Sequence, residues 1–320
     1  IEGPKLYKRN GYYYIFAPAG GVATGWQTVL RSKNIYGPYE DRIVMDQGST
    51  TINGPHQGGW VELKSGESWF VHFQDRGAYG RIVHLQPMSW SDDWPVIGVD
   101  EDGDGKGEPV AKHRKPNVGR EYPVESPQTS DEFASNKLGL QWQWHANPRA
   151  EWYDIAGGSL RLKSVRGTRD LSTAAHLLLQ KLPARKFVVT TVIDASHLLE
   201  GERSGLLIMG REYSYLAVSG LHLIRVTANK EEVVAQLKTP FMFLRVSVDE
   251  GVCEFSYSTN GRTFTPAGEK FTAKPGVWIG AKVGLFSLAP EDAALFGYAR
   301  YDWFRFAPLE RSAQTRARAR

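Results

Sequence analysis

The chain predicts an all-β protein, and three observations carry that prediction. Ten Trp, 14 Tyr and 14 Phe supply strand formers in unusual number. Thirty-three Gly and 17 Pro supply the tight turns that many short strands need. Strand-like runs alternate with turn signals throughout, and no long helical period interrupts them.

The first region, 1–99, has the rhythm of antiparallel hairpins. Runs at 12–16, 27–31, 60–63, 69–74 and 81–86 are separated by Ala19-Gly20-Gly21, Tyr36-Gly37-Pro38, Ile52-Asn53-Gly54-Pro55 and Lys64-Ser65-Gly66-Glu67. Propeller blades take about 40 to 50 residues each, so this length holds two. Two blades cannot close a ring, and an open pair leaves edges exposed. Residues 100–130, rich in Asp, Gly, Lys and Pro, read as a linker. A second β-rich region spans 131–309, with runs at 187–193, 204–209, 221–226, 243–248, 253–258, 277–287 and 301–306. Asn260-Gly261 marks a hairpin tip. That many runs without a helix predicts a two-sheet sandwich. The last residues, 310–320, read as a disordered basic tail.

Composition excludes several functions. The formal charge is +4, and Arg311, Arg316, Arg318 and Arg320 contribute much of it from one end. The body offers no basic face for nucleic acid. A single cysteine, Cys253, permits no internal disulfide or thiolate zinc cluster, and its neighbours Val252, Glu254 and Phe255 place it in a strand as a buried thiol. No apolar run approaches a membrane span. No signal peptide is visible, but the chain opens on Ile1 without Met, so this says nothing about secretion.

Several residues could carry chemistry. Glu2 stands between Ile1 and the Gly3-Pro4 turn, where apolar surroundings would raise its pKa beside a sugar. Asp100, Asp102, Asp104 and Gly105 match the first positions of a calcium loop, but Ala111 stands where its bidentate Glu belongs. A solvated acidic linker is the better reading, with weak cation binding including Glu108 as the alternative. Asp302, between Tyr301 and Trp303, is a candidate ligand for a sandwich calcium together with Asp131 or Glu132. Trp142, Trp144 and Trp152 either stack on sugar or fill the core.

Five ordered segments carry a family resemblance: Glu2-Gly3-Pro4, Tyr12-Tyr13-Tyr14, the stretch from Ile52-Asn53-Gly54-Pro55 through His56-Gln57-Gly58, Gly77-Ala78-Tyr79-Gly80-Arg81, and Asp93-Trp94-Pro95. The first region resembles the C-terminal part of the five-bladed propeller of glycoside hydrolase family 43, the β-xylosidases and α-L-arabinofuranosidases. The second resembles the concanavalin-A-like (jelly-roll) sandwich appended to many members. The resemblance implies an inverting hydrolysis in which a Glu protonates the leaving oxygen while an Asp activates water across a gap of roughly 6.5 to 9.5 Å. Glu2 matches the general acid, and Arg81 matches an arginine that hydrogen-bonds sugar hydroxyls. His84 and Gln86 are expected to face the same way as Arg81. His56 matches a histidine that helps hold an axial calcium, largely through waters. Trp278, between Gly276 and Gly280, is the candidate aromatic of the sandwich that shapes the pocket wall.

The family's base Asp and its pKa-setting Asp lie upstream of Glu-Gly-Pro, so neither maps onto a residue here. The expected protein is therefore the C-terminal portion of an exo-acting glycosidase that removes terminal xylose or arabinose from plant-wall oligosaccharides. Its partners would be a xylo- or arabino-oligosaccharide and the missing N-terminal blades, in the same or a separate chain. Structural calcium is expected, and no organic cofactor. A secreted or periplasmic location is preferred to a cytoplasmic one. The alternative is a non-catalytic carbohydrate-binding or scaffolding fragment in which Glu2 is inert.

Overall fold

A computed structural model describes residues 1–227 and 230–309. The expected basic tail, with Arg311, Arg316, Arg318 and Arg320, lies outside the described residues. The chain divides into two compact units, one of Ile1–Arg76 with Arg81–Glu125, the other of Gly77–Gly80 with the residues from Ser126 onward. The described residues are almost entirely strand and turn, as the composition requires. None of their helices is long and apolar enough to cross a membrane.

The first unit holds two four-stranded antiparallel sheets, the two blades expected from its length. One comprises β1 (Lys5–Arg9), β2 (Tyr12–Ala19), β3 (Trp26–Ser32) and β4 (Glu40–Met45); the other comprises β5 (His56–Glu62), β6 (Ser68–Asp75), β7 (Arg81–Ser91) and β8 (Trp94–Ile97). Asn10 and Gly11 close the first hairpin with φ of 47° and 80°, the doubly left-handed turn that matches strand twist. Arg9 thereby faces Tyr12 and Lys5 faces Phe16. Period-two alternation then sends Tyr14 and Phe16 to one face, where both are fully buried.

That face packs on the second sheet through rings. Phe16 meets Phe70 at 6.0 Å, Tyr7 meets Trp60 at 5.3 Å and Tyr14 meets Trp90 at 5.2 Å, joined by Val29, Val44, Met45, Met88, Trp94 and Ile97. Truncating a ring such as Phe16 to Ala costs about 3–5 kcal/mol in cores of this kind. The opposite face of the second sheet is apolar and open: Val61, Val71, Val83 and Leu85 are exposed, with Val71 facing Leu85 across the ladder.

In the segment expected as a linker, Val99 and Glu108 exchange backbone hydrogen bonds, and Gly107 donates to the Val44 carbonyl. Its first residues thus close onto the blades. No strand forms between 109 and 125.

The second unit is the expected two-sheet sandwich. One sheet centres on Lys186–Asp194, Phe241–Asp249, Val252–Ser258 and Tyr298–Pro308, the other on Leu178–Lys181, Arg203–Met209, Tyr213–Ser219, His222–Thr227, Lys230–Gln236 and Lys282–Ala289. Leu206, Ile208, Leu216, Val246, Phe255, Leu285 and Phe304 fill the space between them. The Asn260-Gly261 hairpin is present, with Tyr257 facing Thr265. The strand read at 277–287 begins only at Lys282, because residues 276–280 form a loop. Trp142 and Trp152 are core residues, 9% and 6% exposed, which settles them against a sugar-stacking surface. Cys253 is buried as expected, and burial pushes its thiol up to about 12.

Candidate active site

Glu2 precedes β1 and is tied to that sheet by its amide, which donates to the Pro18 carbonyl. Its side chain reaches the second sheet. Oε1 lies 2.7 Å from His56 Nε2, and Oε2 accepts from Gln57 Nε2 at 3.1 Å. The carboxylate is therefore held by two side chains 54 and 55 positions away. Its outer side remains open, with 54% of the side chain exposed.

His56, in contrast, is fully buried. A bulge between His56 and Gly59 interrupts the pairing of β5 with β6 and turns the strand start inward. Glycine is required within it, since a Cβ at Gly58 would collide with the Phe70 ring. The imidazole stands edge-on to Phe73 at 5.8 Å, and the Arg81 guanidinium lies 4.5 Å from the centre of the same ring. Phe73 thus contacts both His56 and Arg81 and completes a chain from Glu2 to Arg81. The sequence marked Gln57 only as part of a motif, with no role, and did not mark Phe73. Alternation in β6 marks Phe73 as sharing a face with Val71, but only cross-strand register reveals its partners.

The electrostatics correct one expectation. Instead of a raised pKa, Glu2 has a lowered one, first because His56 hydrogen-bonds its charged form, an effect that outweighs the opposing one of burial. The turn around Glu2 leaves its side chain half exposed, so burial does not outweigh the hydrogen bond.

His84 and Gln86 also depart from expectation. Side chains alternate along β7, so 81, 83 and 85 share one face and 84 and 86 the other. His84 accordingly stacks on His72 at 5.3 Å and contacts Gln74 Oε1, while Gln86 Oε1 accepts from the Val110 amide. Both serve the packing behind the site. His72 is buried enough to bring its imidazole down to about 4.

The metal expectations separate. His56 Nδ1 is buried with no hydrogen-bond partner among the described residues. An unpartnered buried ring nitrogen suits a hydrogen bond with a water, and the water shell of an oxygen-preferring cation such as calcium would provide one. Asp302 does not fit. It is exposed, and the partners named for it are engaged elsewhere: Asp131 accepts from Phe133, Gln141 and Trp142, and Glu132 forms a two-point pair with Arg305. The carboxylates of Asp100, Asp102 and Asp104 converge, but Lys106 sits 2.8 Å from Asp104, and Glu108 turns to Ser49.

Trp278 occupies the loop before Lys282 at φ 61°, with 78% of its surface exposed. A bulky residue in left-handed backbone with its ring in solvent is not serving the core.

Two four-stranded blades that share an acid–imidazole pair, followed by a two-sheet sandwich, define the class as an all-β protein with a propeller-type first unit. Comparison with known proteins makes this specific. The model for glycosyl hydrolases family 43 matches residues 1–95, and that for the β-xylosidase C-terminal concanavalin A-like domain matches residues 130–307. The chain belongs to glycosyl hydrolase family 43. It is 40% identical over 293 residues to a putative β-xylosidase of Xylanibacter ruminicola, covering 88% of this chain and 54% of that protein. It is 31% identical to a β-xylosidase of Formosa agariphila, covering 95% and 59%. A solved family 43 structure from Bacillus licheniformis superposes with a TM-score of 0.82 at 25% identity, covering 96% of this chain and 65% of that one. The chain thus spans little more than half the length of the relatives it matches.

Proposed function

We propose that this chain is the C-terminal part of an exo-acting, inverting glycosidase that releases terminal xylose or arabinose, with Glu2 as its general acid. The observation that carries the reading is the clamp on Glu2: two side chains orient one carboxylate, with its outer side left open to a substrate. The similar proteins named above include β-xylosidases, and a further relative, 28% identical, is a non-reducing end α-L-arabinofuranosidase of Bacteroides ovatus.

In this reading Glu2 donates its proton to the leaving glycosidic oxygen while a base carboxylate, supplied by the preceding blades of the propeller, activates water on the opposite face. Those blades would cover the Val61–Val71–Val83–Leu85 face. By withdrawing Glu2 from water they would raise the pKa that His56 now holds down. Arg81, planar and backed by Phe73, would present its donors to the sugar hydroxyls. Calcium, when bound, would supply an ordered water shell at His56 Nδ1 and stiffen the partner of the acid.

The test is Glu2→Gln in a protein carrying the preceding blades, assayed on aryl xylosides and arabinofuranosides. Turnover should fall by about 10²–10⁴-fold for poor leaving groups and far less for good ones, which need no proton. The sugar released should first appear as the inverted anomer by NMR. Unchanged turnover in Glu2→Gln would remove Glu2 from the role.

A further inference from the structure

The sandwich unit carries a cleft of about 290 Å³ that the Glu2 site does not use. It is bordered by Lys282, Arg211, His145, Met209, Val277 and Ile279, and no carboxylate lines it. Lys282 is the unusual member. Its side chain starts a central strand and is 9% exposed, opposite Met209 on one side and Lys181 on the other. No ion pair or hydrogen bond engages its ammonium among the described residues. A second cation directly opposite adds repulsion to the cost of burial.

Burial and then Lys282 lower the pKa of His145, and burial and then Lys181 lower that of Lys282 itself, so the groups at this cleft already repel further cations. The nearby acid groups are turned away or unpaired with these cations: Asp170 accepts from the Ser172 amide, and Glu212, beside Arg211, makes no ion pair with it among the described residues. Arg211 is exposed at the rim and contributes donors, while Val277 and Ile279 give an apolar wall. A lysine with a buried stem, a rim guanidinium and an apolar wall together suit a ring that carries one anionic group.

We propose that this cleft binds a carboxylate-bearing sugar, a hexuronate unit of an acidic polysaccharide, with its carboxylate between Lys282 and Arg211 and its ring against Val277 and Ile279. The choice of a sugar acid rests on the reading of the chain as part of a polysaccharide-degrading enzyme. The site itself lies wholly within the sandwich.

The test titrates the chain with sodium glucuronate, glucose and inorganic phosphate, read by calorimetry and by NMR shifts of the Lys282 and Arg211 side chains. Glucuronate should bind at least tenfold more tightly than glucose. Lys282→Met should abolish that preference, and Arg211→Ser, at an exposed position that leaves folding intact, should weaken glucuronate binding severalfold. Equal binding of glucose and glucuronate, unchanged affinity in Arg211→Ser, or tighter binding of phosphate than glucuronate would each overturn the proposal. In a protein carrying the preceding blades, turnover of a neutral aryl xyloside reports separately on Glu2, so the two readings fail independently.

Discussion

His56 Nε2 lies 2.7 Å from Glu2 Oε1, a contact between a fully buried imidazole and a half-exposed carboxylate from the neighbouring blade. The buried partner positions the exposed one, and the chemistry expected of Glu2 depends on that hold.

The first prediction concerns its titration. Glu2 in this chain should titrate below the usual glutamate value of about 4.3, followed by carboxyl ¹³C shifts. Since the folded value is the lower one, the pairing supports the fold above that pH and is lost as pH falls through the folded value. His56→Phe should move the midpoint upward. A midpoint unmoved by this change would show that the hydrogen bond is not what sets it.

Arg81 is expected to act through its planar fork as well as its charge. Arg81→Lys, in a protein with the preceding blades, should raise KM for xylosides about tenfold, equivalent to about 1.4 kcal/mol. The melting temperature should barely change. An unchanged KM would assign Arg81 to the surface.

Gly58→Ala tests the bulge. The added methyl meets the Phe70 ring, which is itself fully buried, and overpacking of this kind costs about 1–3 kcal/mol. Urea unfolding of the blade unit should show it, with the sandwich transition unaffected; full stability would mean that the bulge relaxes freely.

Buried histidine gives the sandwich a pH dependence. Burial lowers His176 to about 4. The unfolded chain then binds the proton first, so stability is full above about pH 6.5 and declines as pH falls toward 4. Between pH 7 and 5 the loss should be about 2 kcal/mol, and His176→Asn should flatten that part of the profile. Equal slopes in the two proteins would contradict a neutral buried His176.

Chelation should leave the sandwich untouched. Asp131 and Glu132 are already satisfied by N–H donors, so EDTA should not shift the calorimetric transition of this unit. A drop in that transition on chelation would restore a metal at Asp302.

Much of the fold was legible because alternation and turn chemistry are local. Tyr12-Tyr13-Tyr14 and Asn10-Gly11 specify a hairpin with little help from elsewhere. The strands at Lys5–Arg9, Glu40–Met45 and Lys230–Gln236 were less visible. Each is charged enough to read as loop and is recruited by pairing with a more apolar neighbour. The site was legible only in part. Glu2, His56 and Arg81 stand in motifs, whereas Phe73, which joins two of them, depends on the register of β6 against β5 and β7.

By itself the sequence determined the all-β class, the two-blade length, the sandwich and the motif positions of the site, because these depend on composition, turns and period-two patterning. The tertiary structure decided what those residues experience. It buried His56 and left Glu2 open, turned His84 and Gln86 away from Arg81, tied up the carboxylates near Asp302 and set Lys282 unpaired at a cleft. Each outcome depends on which distant groups share a dielectric environment and a hydrogen bond, and chain neighbours do not specify that.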